Sequence, residues 1–235
     1  MTKGLGPGSG VRILVVDDDP GTRRLLGDLL RRAGFSVILA DSGVNALQAL
    51  GGTSVAMVIL DLGLPDLDGM EVLRSLRGWV ETLPVMVVSA RGGEADKVLA
   101  LRGGADDFLS KPFGSDEFVA RVEALLRRAN LAEPDEAPLR LADLTIDASA
   151  HEIRAEDGRS VRLTPTELGV LRELVRHPGA VRTHTEILAA VWGLQLTHEH
   201  GYVRTIVQRL RQKVEKDSAN PQHIITVPGV GYLWK

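Results

Sequence analysis

Apolar and polar positions follow two interleaved rhythms along the first half of the chain. Short runs of aliphatic and β-branched residues stand at 11–16, 37–39, 55–60, 85–88 and 108–109. Between them, residues 21–33, 44–50, 69–76, 94–102 and 115–128 carry apolar side chains at three- and four-residue spacing. A run too short for a helix and apolar on both faces predicts a strand buried on both sides. A period near 3.6 predicts an amphipathic helix lying over it. Five such repeats predict a doubly wound α/β domain over residues 11–129, built on a five-stranded parallel sheet. Such sheets gather their functional loops at the C-terminal ends of the strands.

The rhythm stops at residues 130–138, where two prolines and three acids stand without periodicity, and a linker is expected. Strand-like runs follow at 139–142, 144–147, 152–155 and 160–163, with Asp157-Gly158 as a hairpin turn. Thr164-Pro165-Thr166-Glu167 then reads as a helix start: Thr164 at the N-cap, Pro165 at the first position and Glu167 closing a capping box. His177-Pro178-Gly179 stops that helix, a second covers 184–191, and a third covers 199–215. Two strands, at 223–227 and 232–234, close the chain around Pro228 to Gly231. Three helices sealed by a terminal hairpin are the order of an α+β winged helix, expected over residues 139–235.

Composition refines this in a few places. The 235 residues suffice for two cores, and 44% hydrophobic with 25% charged residues is a globular balance. Cysteine is absent, which excludes disulfides and thiolate metal sites and fits a reducing cytoplasm. No apolar run is long enough to span a bilayer, so no membrane partner is expected. Residues 1–10, rich in glycine, read as a flexible tail with no cofactor role, because the glycines precede a strand instead of following one. The net charge of −3 conceals an asymmetry: residues 1–138 hold 15 basic and 20 acidic side chains, residues 139–235 hold 13 and 11. Only the second half has a balance compatible with a nucleic-acid surface.

The candidate chemistry lies just after the apolar strands of the first half. Asp17, Asp18 and Asp19 follow the first strand, Asp61 the third, Ser89 ends the fourth, and Lys111-Pro112 follows the fifth. One acid after a strand is explained by helix capping. Several at one sheet edge repel one another unless a cation neutralises them, and an all-oxygen set suits Mg2+. A hydroxyl and an ammonium beside such a cluster would bind phosphoryl oxygens, so the set matches what a carboxylate nucleophile needs for phosphoryl transfer.

Val15-Val16-Asp17-Asp18-Asp19-Pro20, Asp61 to Gly69, Ser89-Ala90 and Lys111-Pro112-Phe113 together resemble the response-regulator receiver family, in order and spacing, over residues 11–129. The resemblance implies a flavodoxin/CheY-like fold in which Asp61 is phosphorylated from the phosphohistidine of a partner sensor kinase. Asp17, Asp18, Asp61 and the Gly63 carbonyl would hold Mg2+, Lys111 would pair with the phosphoryl group, and Ser89 and Phe108 would form a switch. Asp19 reads instead as a capping acid, and Phe108 is equally compatible with an ordinary core aromatic.

Residues 96–108 and 117–128 resemble the OmpR/PhoB subfamily, whose receivers pair through the fourth helix, fifth strand and fifth helix. That resemblance implies a phosphorylation-dependent homodimer with Lys97 facing Glu117, Asp107 facing Arg121 and Asp106 facing Arg128. Solvated surface pairs are the alternative. Leu163 to Leu168, Val191-Trp192-Gly193, Leu210 to Val214 and Val227 to Tyr232 are similar to the same subfamily's DNA-binding domain. The third helix would read promoter DNA with Arg204, Thr205, Gln208, Arg209, Arg211, Gln212 and Lys213, and residues 192–197 would face RNA polymerase. The subfamily commonly has Asp where Arg204 stands, Arg where Gln208 stands, and Arg at the wing positions of Pro228 and Leu233, so the wing here is less basic. Segments 60–66, 76–79, 89–97 and 210–213 look most like the Kdp potassium-transport branch of that subfamily.

Two other classes compete. An Asp-nucleophile phosphatase uses the same residue types but needs a second acid two residues beyond the nucleophile, where this chain has Gly63. A DNA-binding protein with a vestigial receiver would need no phosphate, and the full acidic set argues against it.

Overall fold

A computed structural model describes residues 10–129, 138–141, 143–193 and 199–235. The expected tail over residues 1–9, most of the expected linker, and residues 194–198 lie outside the described residues. The chain divides into two compact units, Met1–Leu126 and Arg127–Lys235.

In the first unit, strands β1 (Arg12–Val16), β2 (Ser36–Ala40), β3 (Met57–Leu60), β4 (Val85–Ser89) and β5 (Asp107–Ser110) alternate with helices α1 (Pro20–Arg32), α2 (Gly43–Gly52), α3 (Gly69–Trp79), α4 (Glu94–Arg102) and α5 (Ser115–Ala129). The sheet is parallel throughout, in the order β2-β1-β3-β4-β5. β3 and β4 are buried at every position, as their unbroken apolar runs require. One apolar layer packs Leu26 and Leu30 of α1 with Phe118, Val122 and Leu125 of α5 against Ile13, Val15, Ile59 and Val88.

Helix starts follow the local chemistry. Asp19 caps α1 by accepting from the Thr22 amide at 2.6 Å, and Asp68 caps α3 by accepting from Met70 at 2.9 Å. Gly69 is required by contact: a Cβ there would lie 2.5 Å from the Asp61 carbonyl oxygen, so only glycine lets α3 begin against the end of β3.

The second unit opens with an antiparallel sheet β6 (Leu139–Leu141), β7 (Leu144–Asp147), β8 (Glu152–Ala155) and β9 (Ser160–Arg162). Helices α6 (Pro165–Val175), α7 (His184–Trp192) and α8 (His200–Val214) follow, then β11 (Ile224–Val227) and β12 (Gly231–Trp234). The capping box forms as expected, with the Thr164 amide donating to Glu167 Oε2 at 2.9 Å. A two-residue strand, β10 (Arg182–Thr183), carries too short a pattern to be read from sequence. It pairs with β12, where only glycine fits at Gly231 because a Cβ there would run into the Arg182 carbonyl oxygen. Among the described residues no helix is long and apolar enough to cross a membrane.

Two polar clusters hold this unit together. Glu167, fully buried, is paired with Arg209 Nη2 at 2.7 Å and Lys213 Nζ at 2.9 Å. His223 donates to Glu215 Oε2 at 3.0 Å through Nδ1 and to Asp143 Oδ1 at 2.8 Å through Nε2, while the amides of Gln222, His223 and Ile224 also donate to Glu215. Glu167→Ala leaves two cations without their buried partner and is expected to destabilise the second unit by about 3–5 kcal/mol, read by urea unfolding. A loss under about 1 kcal/mol would show that these charges find other partners.

Burial pulls the His223 pKa down, but the hydrogen bonds and charges of Asp143 and Glu215 outweigh it and the net direction is upward. The folded chain therefore holds this proton more tightly than the unfolded chain. The resulting stabilisation is complete below the ordinary value of about 6.5 and fades as pH rises through the raised folded value. His223→Gln is expected to lower the thermal midpoint most near pH 6 and progressively less toward about pH 8. A difference that stays constant across that window would show that the proton on His223 contributes nothing.

Candidate functional site

The strand order reverses at β1, from which the chain runs outward to β2 and then returns to β3 on the other side. A crevice opens at such a point, outside the carboxyl ends of β1 and β3. Asp17 and Asp61 follow these two strands, and both are buried. Lys111, just after β5, places Nζ 2.7 Å from Asp17 Oδ2 and 2.6 Å from Asp61 Oδ2. Asp18 is exposed at the rim, and Asp17, Asp18 and Asp61 each offer an oxygen within 4.8 Å of the others. The structure thus brings together residues separated by 50 and 94 positions in the chain.

Burial pushes the Asp61 pKa up, but Lys111, Ser89 and the Gly63 amide, 3.2 Å from Oδ1, together bring it below the usual carboxylate range. Asp17 goes the other way: burial dominates, Lys111 offsets part of it, and the charge on Asp61 adds to the rise. Burial lowers the Lys111 pKa, and its two carboxylate partners raise it by more. At neutral pH the centre of the pocket is an ionised Asp61 held by a protonated Lys111. Ser89, buried at the end of β4, accepts from the Arg91 amide at 3.3 Å. The Phe108 ring lies in the interior, 1% exposed.

Two residues that position this pocket were not singled out from sequence. Arg23 Nη1 donates to the backbone carbonyls of Asp17 at 2.6 Å and Asp18 at 3.1 Å, holding the turn that carries both acids. Asp66, in the loop after Asp61, accepts from the Gly43 and Val44 amides at 2.9 Å each and ties that loop to the start of α2. Arg23 carries a weak signal, one turn inside α1. Asp66 carries none, because its partners lie more than twenty residues away in sequence.

The charges expected at a dimer face are largely engaged within the chain. Asp106 is fully buried and receives Arg77 Nη2 at 2.7 Å and the Val85 amide at 3.0 Å, so it is not a surface acid. Arg77 also donates to the carbonyls of Gly104, Glu81 and Leu83. Arg128 falls in the second unit, buried, with Nη1 donating to Thr166 Oγ1 at 3.0 Å. An Asp106–Arg128 pair across a two-fold axis is therefore corrected: both residues face the interior. Arg121 bonds Asp107 at 3.1 Å and Glu117 at 2.6 Å. Lys97 is half-buried on α4, two residues from Leu99, which is 56% exposed.

The third helix also divides more sharply than its sequence suggests. Arg209 and Lys213 turn inward to Glu167, and the Thr205 hydroxyl donates to the Gly201 carbonyl at 3.0 Å. These three are removed from the expected DNA-reading set because the buried Glu167 carboxylate and the helix's own backbone take them. Arg204, Gln208 and Gln212 stand exposed at four-residue intervals along α8. Arg211 lies beside them, half-buried, donating to the Ile224 carbonyl and to Thr226 Oγ1, with its guanidinium 5.8 Å from the Tyr232 ring centre. Trp192 is a core residue, edge-on to Tyr202, and residues 194–197 of the expected polymerase-facing segment lie outside the described residues.

Comparison with known proteins matches this geometry. Residues 13–123 match the response regulator receiver domain, and residues 158–234 match the C-terminal domain of transcriptional regulatory proteins. The chain is 44% identical to the transcriptional regulatory protein KdpE of Mycobacterium tuberculosis, covering 95% of this chain and 98% of the relative. It is 41% identical to the KDP operon transcriptional regulatory protein KdpE of Escherichia coli, covering 94% and 97%. It is also 43% identical to the DNA-binding response regulator MtrA of Mycolicibacterium smegmatis, covering 94% and 95%. Among solved structures, a RitR mutant superposes with a TM-score of 0.76 over 96% of this chain and 99% of that one, at 23% identity, a likeness of fold. DrrB, an OmpR/PhoB homologue of Thermotoga maritima, gives 0.51 at 26% identity, over 95% and 98%. A receiver with its acidic pocket, followed by a winged helix and matched along nearly the whole chain, makes this protein a member of the OmpR/PhoB-type two-component response regulators, transcription factors of the KdpE-like kind.

Proposed function

We propose that Asp61 accepts a phosphoryl group from the phosphohistidine of a sensor histidine kinase, and that this modification promotes receiver pairing and promoter binding. The observation that carries the reading is Lys111 bridging Asp17 and Asp61, with Asp18 at the rim. The ionised Asp61 oxygen forms the new O–P bond as the N–P bond of the donor breaks. Lys111 and the Ser89 hydroxyl meet two of the phosphoryl oxygens. Asp17, Asp18, Asp61 and the Gly63 carbonyl would hold Mg2+, since an all-oxygen set with a cluster of carboxylates suits that ion. When bound, the ion would supply charge neutralisation for the transferring phosphoryl group. Gly63 stands where a hydrolase would place its second acid, so the phosphorylated state decays slowly and the protein acts as a regulator more than a turnover catalyst.

Pairing would use the α4–β5–α5 face, narrowed to Lys97, Glu117 and Arg121, with the exposed Leu99 among them; Asp107, as buried as Asp106, drops out of the surface set and holds Arg121 from within the chain. DNA reading would fall to Arg204, Gln208, Arg211 and Gln212, whose side chains suit guanine and adenine edges. RNA polymerase is the further partner that this reading implies, with the buried Trp192 left out of the contact. The KdpE relatives point to promoters of potassium-transport genes in the cytoplasm.

A small acyl-phosphate donor with Mg2+ is expected to place phosphate on the wild type and none on Asp61→Ala, read by phosphate-affinity electrophoresis. No incorporation into the wild type would end this reading. Incorporation with unchanged DNA binding would favour a DNA-binding protein with a vestigial receiver. Arg121→Glu is expected to weaken phosphorylation-induced dimers by about tenfold or more, roughly 1.4 kcal/mol, in analytical sedimentation. Equal dimer affinity in the two proteins would move the interface elsewhere.

A further inference from the structure

The exposed row of α8 does not begin at Arg204. His200, the first residue of the helix, is exposed one turn earlier and continues the four-residue interval of Arg204, Gln208 and Gln212. Its ring stacks on that of His184, the first residue of α7, with centroids 5.3 Å apart and planes 20° apart. His184 is itself held on three sides. Its backbone amide donates to the Val230 carbonyl at 3.2 Å, its Nδ1 lies 2.9 Å from the same oxygen, and its ring meets Tyr232 edge-on at 5.4 Å. Val230 is the exposed tip residue of the β11–β12 turn, the wing of the fold. Two imidazoles thus join the starts of two helices to the wing, at the edge of the surface assigned above to DNA.

We propose that His200, stacked on His184, extends the DNA-reading row by one turn as a contact to the phosphodiester backbone that protonation switches on. The inference rests on the reading of the α8 row as the DNA face. His184 is the positioning residue. With Nδ1 facing the Val230 oxygen it keeps that hydrogen bond as a neutral ring, and its burial, with His200 and Arg204 nearby, keeps it uncharged near neutrality. A neutral ring supports a stacked cation without repelling it. His200 is open to solvent and to an approaching phosphate, and histidine is the side chain type whose charge changes in this pH range.

The other charged groups around the pair leave this assignment intact. From α8, Arg204 adds positive charge that attracts phosphate at every pH, and Glu199 precedes His200. From β12, the Tyr232 phenol has its pKa raised by burial and remains neutral. Arg211 lies over the Tyr232 ring. From the start of α7, Glu186 is engaged by the Thr183 amide and Arg182. A phosphate beside His200 would meet two cations on one helix face at low pH and one at high pH.

The test uses the full chain and a mixed-sequence DNA duplex of about 30 base pairs, so that backbone contact is measured without an operator. Fluorescence anisotropy is read at about pH 6 and pH 8 across a salt series. Wild-type binding is expected to tighten roughly two- to fivefold at the lower pH, with the salt slope steeper by about 0.9, the value for one phosphate. His200→Gln is expected to remove the change with pH and to show the shallower slope throughout. His200→Lys is expected to bind at both pH values as the wild type does at the lower one. His200→Gln with the wild-type pH profile and slope overturns the proposal. Arg204→Ala separates the two levels. If it weakens binding at both pH values while His200→Gln keeps the wild-type profile, only the histidine contact fails. If Arg204→Ala binds as the wild type does, the α8 face itself is misassigned and the proposal falls with it.

Discussion

The receiver pocket depends on one ammonium group placed between two buried carboxylates. Asp17 and Asp61 end adjacent central strands, where the sheet geometry leaves them no retreat from each other. The charge on Asp61 raises the Asp17 pKa, and neighbouring buried carboxylates keep their charge best beside a cation. Lys111, 2.7 and 2.6 Å away, lets Asp61 stay ionised. The surrounding features keep that arrangement in place. Arg23 grips the turn that carries Asp17 and Asp18, Asp66 anchors the loop beyond Asp61, and Gly69 allows α3 to start against the Asp61 carbonyl.

A buried charge organises the second unit in a parallel way. Glu167 fixes the rotation of α8 by drawing in Arg209 and Lys213, which lie one helical turn apart. With that row and the apolar stripe of Val203, Val207, Leu210 and Val214 both facing inward, the row of His200, Arg204, Gln208 and Gln212 is left on the outward side of the helix. The same carboxylate closes the capping box that starts α6. One acid therefore sets both where a helix begins and which side of another helix meets solvent.

The engaged state of the dimer-face charges bears on how such a regulator changes partners. Arg121 already pairs with Asp107 and Glu117 within its own chain. Forming equivalent pairs across a two-fold axis would exchange one set of ion pairs for another, so the net gain from charge is small. The exposed Leu99 supplies apolar area that such an exchange would bury, and area removed from water is the larger driving force.

The alternation of apolar runs and helical periods was enough to identify the α/β unit, because strands buried on both faces leave an unbroken signature. The order of three helices and a hairpin marked the winged helix, and Thr164 to Glu167 announced a helix start that formed as written. The pocket residues were legible for a related reason: each sits at the end of a strand or just after it, and parallel topology brings all strand ends to one edge. The two-residue β10, the partners of Asp66 and the inward turn of Asp106 and Arg128 were not legible, since each depends on contacts distant in sequence. The clearest case is α8, where composition made Arg204, Arg209, Arg211 and Lys213 equal candidates for DNA. Sequence determined that this helix was rich in cations; only the packing of α6 against it, with Glu167 at the contact, decided which cations remain outside. A buried carboxylate selects its partners by distance in space, and that distance is a property of the folded chain.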